Sequence, residues 1–214
     1  GYALNPLTEP NLFAVLDIEK NIADHRDDIR DLSCLKKVVK STKPEIIVHM
    51  AAQSLVRESY KDPVGTYATN VMGTVNLMEA ARSCDSVRAI LIVTSDKCYE
   101  NRELDYGYKE TDTMGGHDPY SSSKGCAELV TSAFRRSFYE NTSMIAVASA
   151  RAGNVIGGGD WSANRIIPDA IRSFSNNQQL QVRSPDAIRP WQHVLEPLSG
   201  YMALCEKMWD QPLK

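Results

Sequence analysis

Tyr120 and Lys124 are four residues apart, so any helix that carries them sets both on one face. An ammonium beside a phenol favours the phenolate and pulls its pKa towards the range of a general base. The Tyr-x-x-x-Lys spacing alone is a weak signal, and its setting strengthens it. It follows Asp118-Pro119, where a helix can start because proline's missing N–H costs least in the first turn. It also comes one strand–helix unit after Thr94-Ser95-Asp96-Lys97. There a hydroxyl, a carboxylate and an ammonium stand in a row behind an apolar run and can supply a hydrogen-bond donor, an acid and a base. A polar turn in which Ser and Asp satisfy backbone amides would use the same residues.

Other apolar runs also end in chemically useful residues. Met50-Ala51-Ala52-Gln53-Ser54 offers small side chains against which a flat ligand can lie, although tight packing between strand and loop would select them too. In Arg151-Ala152-Gly153-Asn154-Val155-Ile156-Gly157, Asn154 can hydrogen-bond sugar hydroxyls. The adjoining Gly157-Gly158-Gly159 lacks the G-x-G-x-x-G spacing of a dinucleotide fingerprint and reads equally as a mobile loop. Arg165, Arg183 and Arg189 could clamp a diphosphate, or they could be ordinary solvated arginines.

These residues need elements to position them. Leu32, Leu35, Val38 and Val39 recur with helical spacing, and Pro44 ends that helix near Ser41. Glu45–Met50 reads as a fully buried strand, short, β-branched and not alternating. A loop is expected through Ser54–Tyr60, then a long helix from Pro63 to about Arg82. Val87–Val93 is a second buried strand, Pro119–Tyr139 a helix and Met144–Ser149 a third strand. A helix at Ile167–Ser175, a short strand at Gln181–Arg183 and a helix at Glu196–Trp209 follow. Buried strands alternating with amphipathic helices predict an α/β fold with a doubly wound parallel sheet, whose ligands bind beyond the carboxyl ends of the strands. Residues 1–155 are expected to form the dinucleotide-binding part and 156–214 a smaller substrate-binding part, with Gly157–Trp161 as the hinge between them.

Composition narrows the function classes. With 43% apolar and 24% charged residues in 214, the chain can bury a real core, which excludes disorder. A net charge of −3 argues against a broad basic face for nucleic acid. No run approaches the roughly 18–20 apolar residues of a membrane helix. The five cysteines form no CxxC pair, so no zinc site or disulfide framework is expected, and reduced thiols fit a cytoplasmic protein. The start, Gly1-Tyr2-Ala3-Leu4-Asn5-Pro6, has neither the basic nor the apolar region of a signal peptide. It also lacks an initiator Met, so the natural start is expected upstream.

Together these pieces resemble the extended short-chain dehydrogenase/reductase superfamily, in its nucleotide-sugar dehydratase branch. Tyr120-x-x-x-Lys124 matches its catalytic pair, and Ala51-Ala52 matches its cofactor-edge motif. Ser95-Asp96-Lys97 resembles the hydroxyl-Asp-Glu triplet of the 4,6-dehydratases with Lys in place of Glu. That departure and the strings His49–Gln53, Arg151–Trp161 and Ile188–Val194 point within the branch to CDP-glucose as substrate. The resemblance implies a lyase that removes water from CDP-glucose, using NAD recycled within each turnover. It gives Tyr120 the role of base and Lys124 that of tuning it. Ser95 would contact the sugar oxygen and Asp96 act as acid, with Lys97 either a base or an electrostatic stabiliser.

By position in the family's motifs, Asp28, Ile29, Ala51, Ala52, Gln53, Thr69 and Val155, with Tyr120 and Lys124, resemble the NAD contacts. Ser54, Asn154, Arg165 and Arg189 resemble the substrate contacts. A homo-oligomer, dimer or tetramer, is also implied. The family's first strand and glycine-rich turn are not matched, and the family continues past Lys214. An epimerase would have no use for Asp96-Lys97, and a non-catalytic NAD-binding module none for Ser95, Tyr120 and Lys124. The missing glycine-rich turn would favour the binding module only if the chain truly started at Gly1.

Overall fold

The computed structural model describes residues 1–140 and 145–211. The apolar β-branched runs form its strands and the periodic stretches between them its helices. In chain order these are β1 (Tyr2–Ala3), α1 (Leu12–Val15), β2 (His25–Arg26), α2 (Leu32–Thr42), β3 (Ile46–His49), α3 (Val56–Lys61), α4 (Pro63–Tyr67), α5 (Gly73–Arg82), β4 (Ala89–Val93), α6 (Pro119–Phe134), β5 (Ala146–Ala150), β6 (Asn154–Ile156), α7 (Ile166–Ser175), β7 (Trp191–His193) and α8 (Leu195–Asp210). β3, β4 and β5 form a parallel sheet with β4 in the middle, Ile46 opposite Ala89 and Ala89 opposite Ala146. β1–β2 and β6–β7 are separate parallel pairs.

Both faces of the central strand are covered, as a doubly wound fold requires. Ile90 and Ile92 pack with Leu35, Val39, Leu77 and Met78 from α2 and α5. Leu91 points the other way, onto Tyr201 and Cys205 of α8. Each of these β4 residues is at most 1% exposed, which accounts for a run without alternation. β3 differs from its expected full burial: Ile46 and Val48 are over 40% exposed, while His49 is buried. Helix α8 packs across β4 and β5, so one face of β3 is left open.

Three other expectations change. Val56–Lys61 is helical where a loop was expected; Asp62 then breaks the run and caps α4 by accepting from the Gly65 amide. The long helix to Arg82 forms, but a wider π turn at Ala68–Met72 interrupts it. The Gln181–Arg183 strand does not form. Instead Trp191–His193 pairs with Asn154–Ile156, because the Pro190 carbonyl accepts from Asn154 N at 3.0 Å and sets the register. Of the strand expected at Met144–Ser149, Met144 lies outside the described residues, and the observed strand ends at Ala150.

Helix α6 is docked by its own sequence. The Asp118 carboxylate accepts from the Ser121 amide at 3.0 Å and the Ser121 hydroxyl at 2.6 Å, and Pro119 takes the first turn. Gly116, at φ +137°, lies so close to that turn that a Cβ there would stand 2.2 Å from Ser122 N. Gly116→Ala should therefore destabilise the protein by at least about 1 kcal/mol, because its backbone is in a region closed to L side chains and the clash is with main chain. A thermal melt checks this, and an unchanged Tm would mean that the turn rebuilds freely.

Candidate active site

Tyr120, Lys124 and Glu128 follow one another at helical spacing on the face of α6 that meets the sheet, and each is under 9% exposed. Opposite them, the chain leaves β4 through Thr94 and Ser95 into a tight turn over Asp96–Cys98. The Ser95 hydroxyl donates to Asp96 Oδ1 at 2.9 Å and accepts from Lys97 N at 3.3 Å. Lys97 Nζ sits 3.6 Å from the same carboxylate oxygen. The Asp96 amide is anchored on the Ala152 carbonyl beyond β5 at 3.1 Å.

Burial dominates the electrostatics. It lowers the Lys124 pKa to about 8, opposed by the Glu128 charge, and the ammonium donates to the Val93 carbonyl at 3.2 Å. It raises the Tyr120 phenol above its ordinary value, and the Ser95 hydroxyl and the Arg165 charge are the main groups pulling it back. The phenol pKa is thus raised where a lowering by Lys124 was expected, because desolvation of an 8%-exposed ring outweighs the Ser95 hydrogen bond and the Arg165 charge.

A second polar network lies behind β3. The Thr74 hydroxyl donates to the Asn70 carbonyl at 2.7 Å, so its contact with His49 Nε2 at 3.2 Å takes the histidine's hydrogen. Burial, with the Lys124 charge nearby, holds His49 neutral down to about pH 4. Asn70 bonds the Gln53 amide and carbonyl at 2.8 and 2.9 Å and donates to Ser123 Oγ on α6 at 2.8 Å. The loop after β3 is thereby tied to α6, the helix that carries Tyr120 and Lys124.

Asp28, Ile29, Ala51, Ala52 and Thr69 converge on a cleft of about 500 Å³, closed on one side by residues of the Leu4–Leu12 segment and the Gly159–Ser162 loop. Arg30 holds the Asp28 carboxyl below its ordinary value, so it presents only acceptors. Gln53 does not line this cleft, since its side chain donates to Thr66 and accepts from the Leu55 amide. Val155 stands in β6 opposite Gln192, and Asn154 opens the same strand.

Arg165 Nη2 reaches Ser54 Oγ at 3.2 Å, joining two of the expected substrate contacts. Its Nε is 3.5 Å from Asp160 but makes no hydrogen bond. Arg189 stays apart, exposed and bonded to its neighbour's carbonyl. Arg183 and the unanticipated Arg57 instead share Asn164. Glu128, Tyr99 and His49 were also missed as contributors. An acid on the buried stripe eight residues after Tyr120 was the available signal for Glu128.

A profile of the GDP-mannose 4,6 dehydratase family matches residues 10–211. The chain belongs to that family. Within it, the chain is 53% identical to CDP-glucose 4,6-dehydratase from Salmonella typhimurium over its whole length, and spans 61% of that protein. It is 26% identical to dTDP-D-glucose 4,6-dehydratase from Dictyostelium discoideum over 80% of the chain and 40% of the relative. Among solved structures, dTDP-glucose 4,6-dehydratase from Streptomyces venezuelae with NAD bound superposes with a TM-score of 0.76 at 26% identity, covering 88% of this chain and 56% of that one. The chain thus spans about three fifths or less of these relatives. Among the described residues, no helix is long and apolar enough to cross a membrane.

In this family member, buried neutral His49 should make stability depend on acid. Unfolded histidine takes up a proton near pH 6.5, whereas folded His49 refuses one down to about pH 4. Its contribution is complete above that upper value and is lost as pH falls through the window, at up to about 1.4 kcal/mol per pH unit. His49→Gln should flatten the slope, as urea unfolding across the window would show; an unchanged slope would mean that another group titrates.

Proposed function

We propose that the protein to which this chain belongs is an NAD-dependent 4,6-dehydratase that converts CDP-glucose to CDP-4-keto-6-deoxyglucose and water. The observation that carries this reading is the meeting of the Ser95-Asp96-Lys97 turn with the Tyr120–Lys124 face of α6 at one strand end. The likeness to the Salmonella CDP-glucose 4,6-dehydratase, together with Lys97 after Asp96, supports the choice of nucleotide. The cleft at Asp28, Ile29, Ala51, Ala52 and Thr69 fits the adenosine end of NAD: an acceptor-only carboxylate suits ribose hydroxyls, and small side chains admit a flat base. When bound, NAD would accept a hydride from the sugar and later return it.

Tyr120 takes the proton of the sugar 4-hydroxyl. In the resting structure it is a phenol, so ionisation needs nearby positive charge; the Arg165 charge already pulls its pKa down, and Lys124, one turn further along α6, is the proposed second source. Ser95 hydrogen-bonds the 4-oxygen. Once C4 is a ketone, the C5 proton is acidic and the C6 hydroxyl can leave as water. Asp96 donates the proton to that hydroxyl. In the structure the carboxylate accepts from Ser95 and lies 3.6 Å from the Lys97 ammonium, so a proton passed within that pair arms Asp96 as the acid and frees Lys97 as a base. Neutral Lys97 then takes the C5 proton; a Lys97 that stays charged would instead stabilise the enolate and need another group as base.

Arg165, whose Nε lies beside Asp160 without a hydrogen bond, suits a diphosphate oxygen, with Ser54, Asn154 and Arg189 as further substrate contacts. Val155 and Lys124 complete the proposed cofactor set, Gln53 serving instead to hold the loop after β3, and residues 156–214 form the substrate-facing part. A cytoplasmic homo-oligomer fits the exposed apolar Tyr60, Val64 and Leu129 on α3, α4 and α6.

In the full-length protein, Tyr120→Phe should abolish hydride transfer, so that substrate produces no NADH absorbance. Asp96→Asn should still oxidise the sugar but slow elimination by about 10²–10⁴-fold, leaving NADH to rise and persist in a single turnover. An Asp96→Asn variant as fast as its parent would remove Asp96 as the acid. Turnover of dTDP-glucose equal to that of CDP-glucose would overturn the nucleotide assignment.

A further inference from the structure

Beneath the candidate site lies a buried ionic cluster to which the dehydratase chemistry gives no part. The Glu128 carboxylate accepts from Arg151 Nε and Nη2, both at 2.9 Å, from Ser149 Oγ at 2.6 Å and from the Thr94 hydroxyl. Its side chain is 6% exposed and that of Arg151 15%. The third Arg151 nitrogen, Nη1, donates to the Tyr99 hydroxyl at 2.7 Å. Burial opposes ionisation of Glu128, yet the bonds from Arg151, Ser149 and Thr94 hold the carboxyl below its ordinary value.

The attachment points are informative. Thr94 immediately precedes Ser95, and Tyr99 immediately follows the Asp96–Cys98 turn. Glu128 lies one helical turn beyond Lys124 on α6. One ion pair therefore grips both ends of the Ser95–Lys97 turn and fixes them to the helix that carries Tyr120 and Lys124. Those two side chains have supports of their own: the Asp118 cap, and the Val93 carbonyl that receives Lys124.

We propose that Glu128 and Arg151 are positioning residues, acting through Thr94 and Tyr99 to hold Asp96 and Lys97 in register with Tyr120, so that elimination depends on them more than oxidation does. The inference rests on the dehydratase reading for its kinetic consequence, and on the hydrogen bonds alone for its structural one. Tyr99 is the most selective handle, since its hydroxyl joins the clamp to the far end of the turn and touches nothing assigned to the sugar.

The test uses the full-length protein and two readouts. In single turnovers with CDP-glucose, Tyr99→Phe should oxidise the sugar at the parent rate but eliminate roughly 3- to 10-fold more slowly, so that NADH accumulates, as expected for loss of one hydrogen bond. KM should be unchanged. Glu128→Gln should show the same pattern more strongly, by about 10²-fold if the turn shifts by an ångström, and Arg151→Lys, which keeps the charge but not the fork, should lose less than Arg151→Ala. Because Glu128→Gln leaves a buried arginine unpaired and can fail to fold, Tyr99→Phe decides. Equal slowing of oxidation and elimination by Tyr99→Phe would overturn the proposal. The second readout is hydrogen exchange: the Asp96 and Cys98 amides should exchange faster in Tyr99→Phe while those of α6 do not, and unchanged exchange would also overturn it. A parent protein inactive on every sugar nucleotide would defeat the dehydratase reading, and the exchange experiment would still decide the clamp.

Discussion

Helix α6 has to bury a phenol, an ammonium and a carboxylate on the face it packs against the sheet, and the site depends on how that cost is met. An uncompensated buried charge costs several kcal/mol, so each polar group needs a partner where it comes to rest. Lys124 finds the Val93 carbonyl at the end of β4. Glu128 finds the Arg151 fork together with hydroxyls from β4 and β5. Tyr120, at the start of the helix, shares its position with Ser95 and Arg165. Because these partners sit on different strands, satisfying them fixes helix and strand ends relative to one another.

That arrangement demands close approach. A Cβ on Gly125 would stand 2.8 Å from the Gly115 carbonyl, so glycine lets α6 press against the segment that leaves the Ser95–Lys97 turn. On its other side Ser123 accepts from Asn70, where the preceding helix widens into a π turn. Asn70 in turn holds the Gln53 backbone, and so the small-residue edge Ala51-Ala52. A hydrogen-bonded path thus runs from the loop beside the cleft to α6.

Much of this was readable in the residues. The run Val87–Val93 reads as a strand buried on both faces, and its Ala89–Val93 part forms one, while Asp118-Pro119 opens a helix, because local sterics and capping act over a few neighbours. Tyr120 and Lys124 on one helical face followed from spacing alone, and placing reactive groups after strands followed from the sheet's architecture. What failed was decided at longer range. Val56–Lys61 is helical although it reads as a loop, and the pairing of Trp191–His193 rather than Gln181–Arg183 with β6 depends on where Pro190 arrives.

The sequence by itself determined the central parallel strands, the main helices between them and the placing of Tyr120 and Lys124 on one face of α6, since periodicity and capping are written in neighbouring residues. Tertiary structure alone decided the state of those side chains. Tyr120 is a phenol with a raised pKa because the packed interior desolvates it, an effect that no spacing encodes. Glu128, Arg151, Thr94 and Tyr99 are up to 57 residues apart in the chain (151 − 94), and only the folded sheet brings them onto one carboxylate and one guanidinium. The physical reason is range: helix and strand signals act over one or two turns, whereas the electrostatics of a buried site belong to whatever the fold carries beside it.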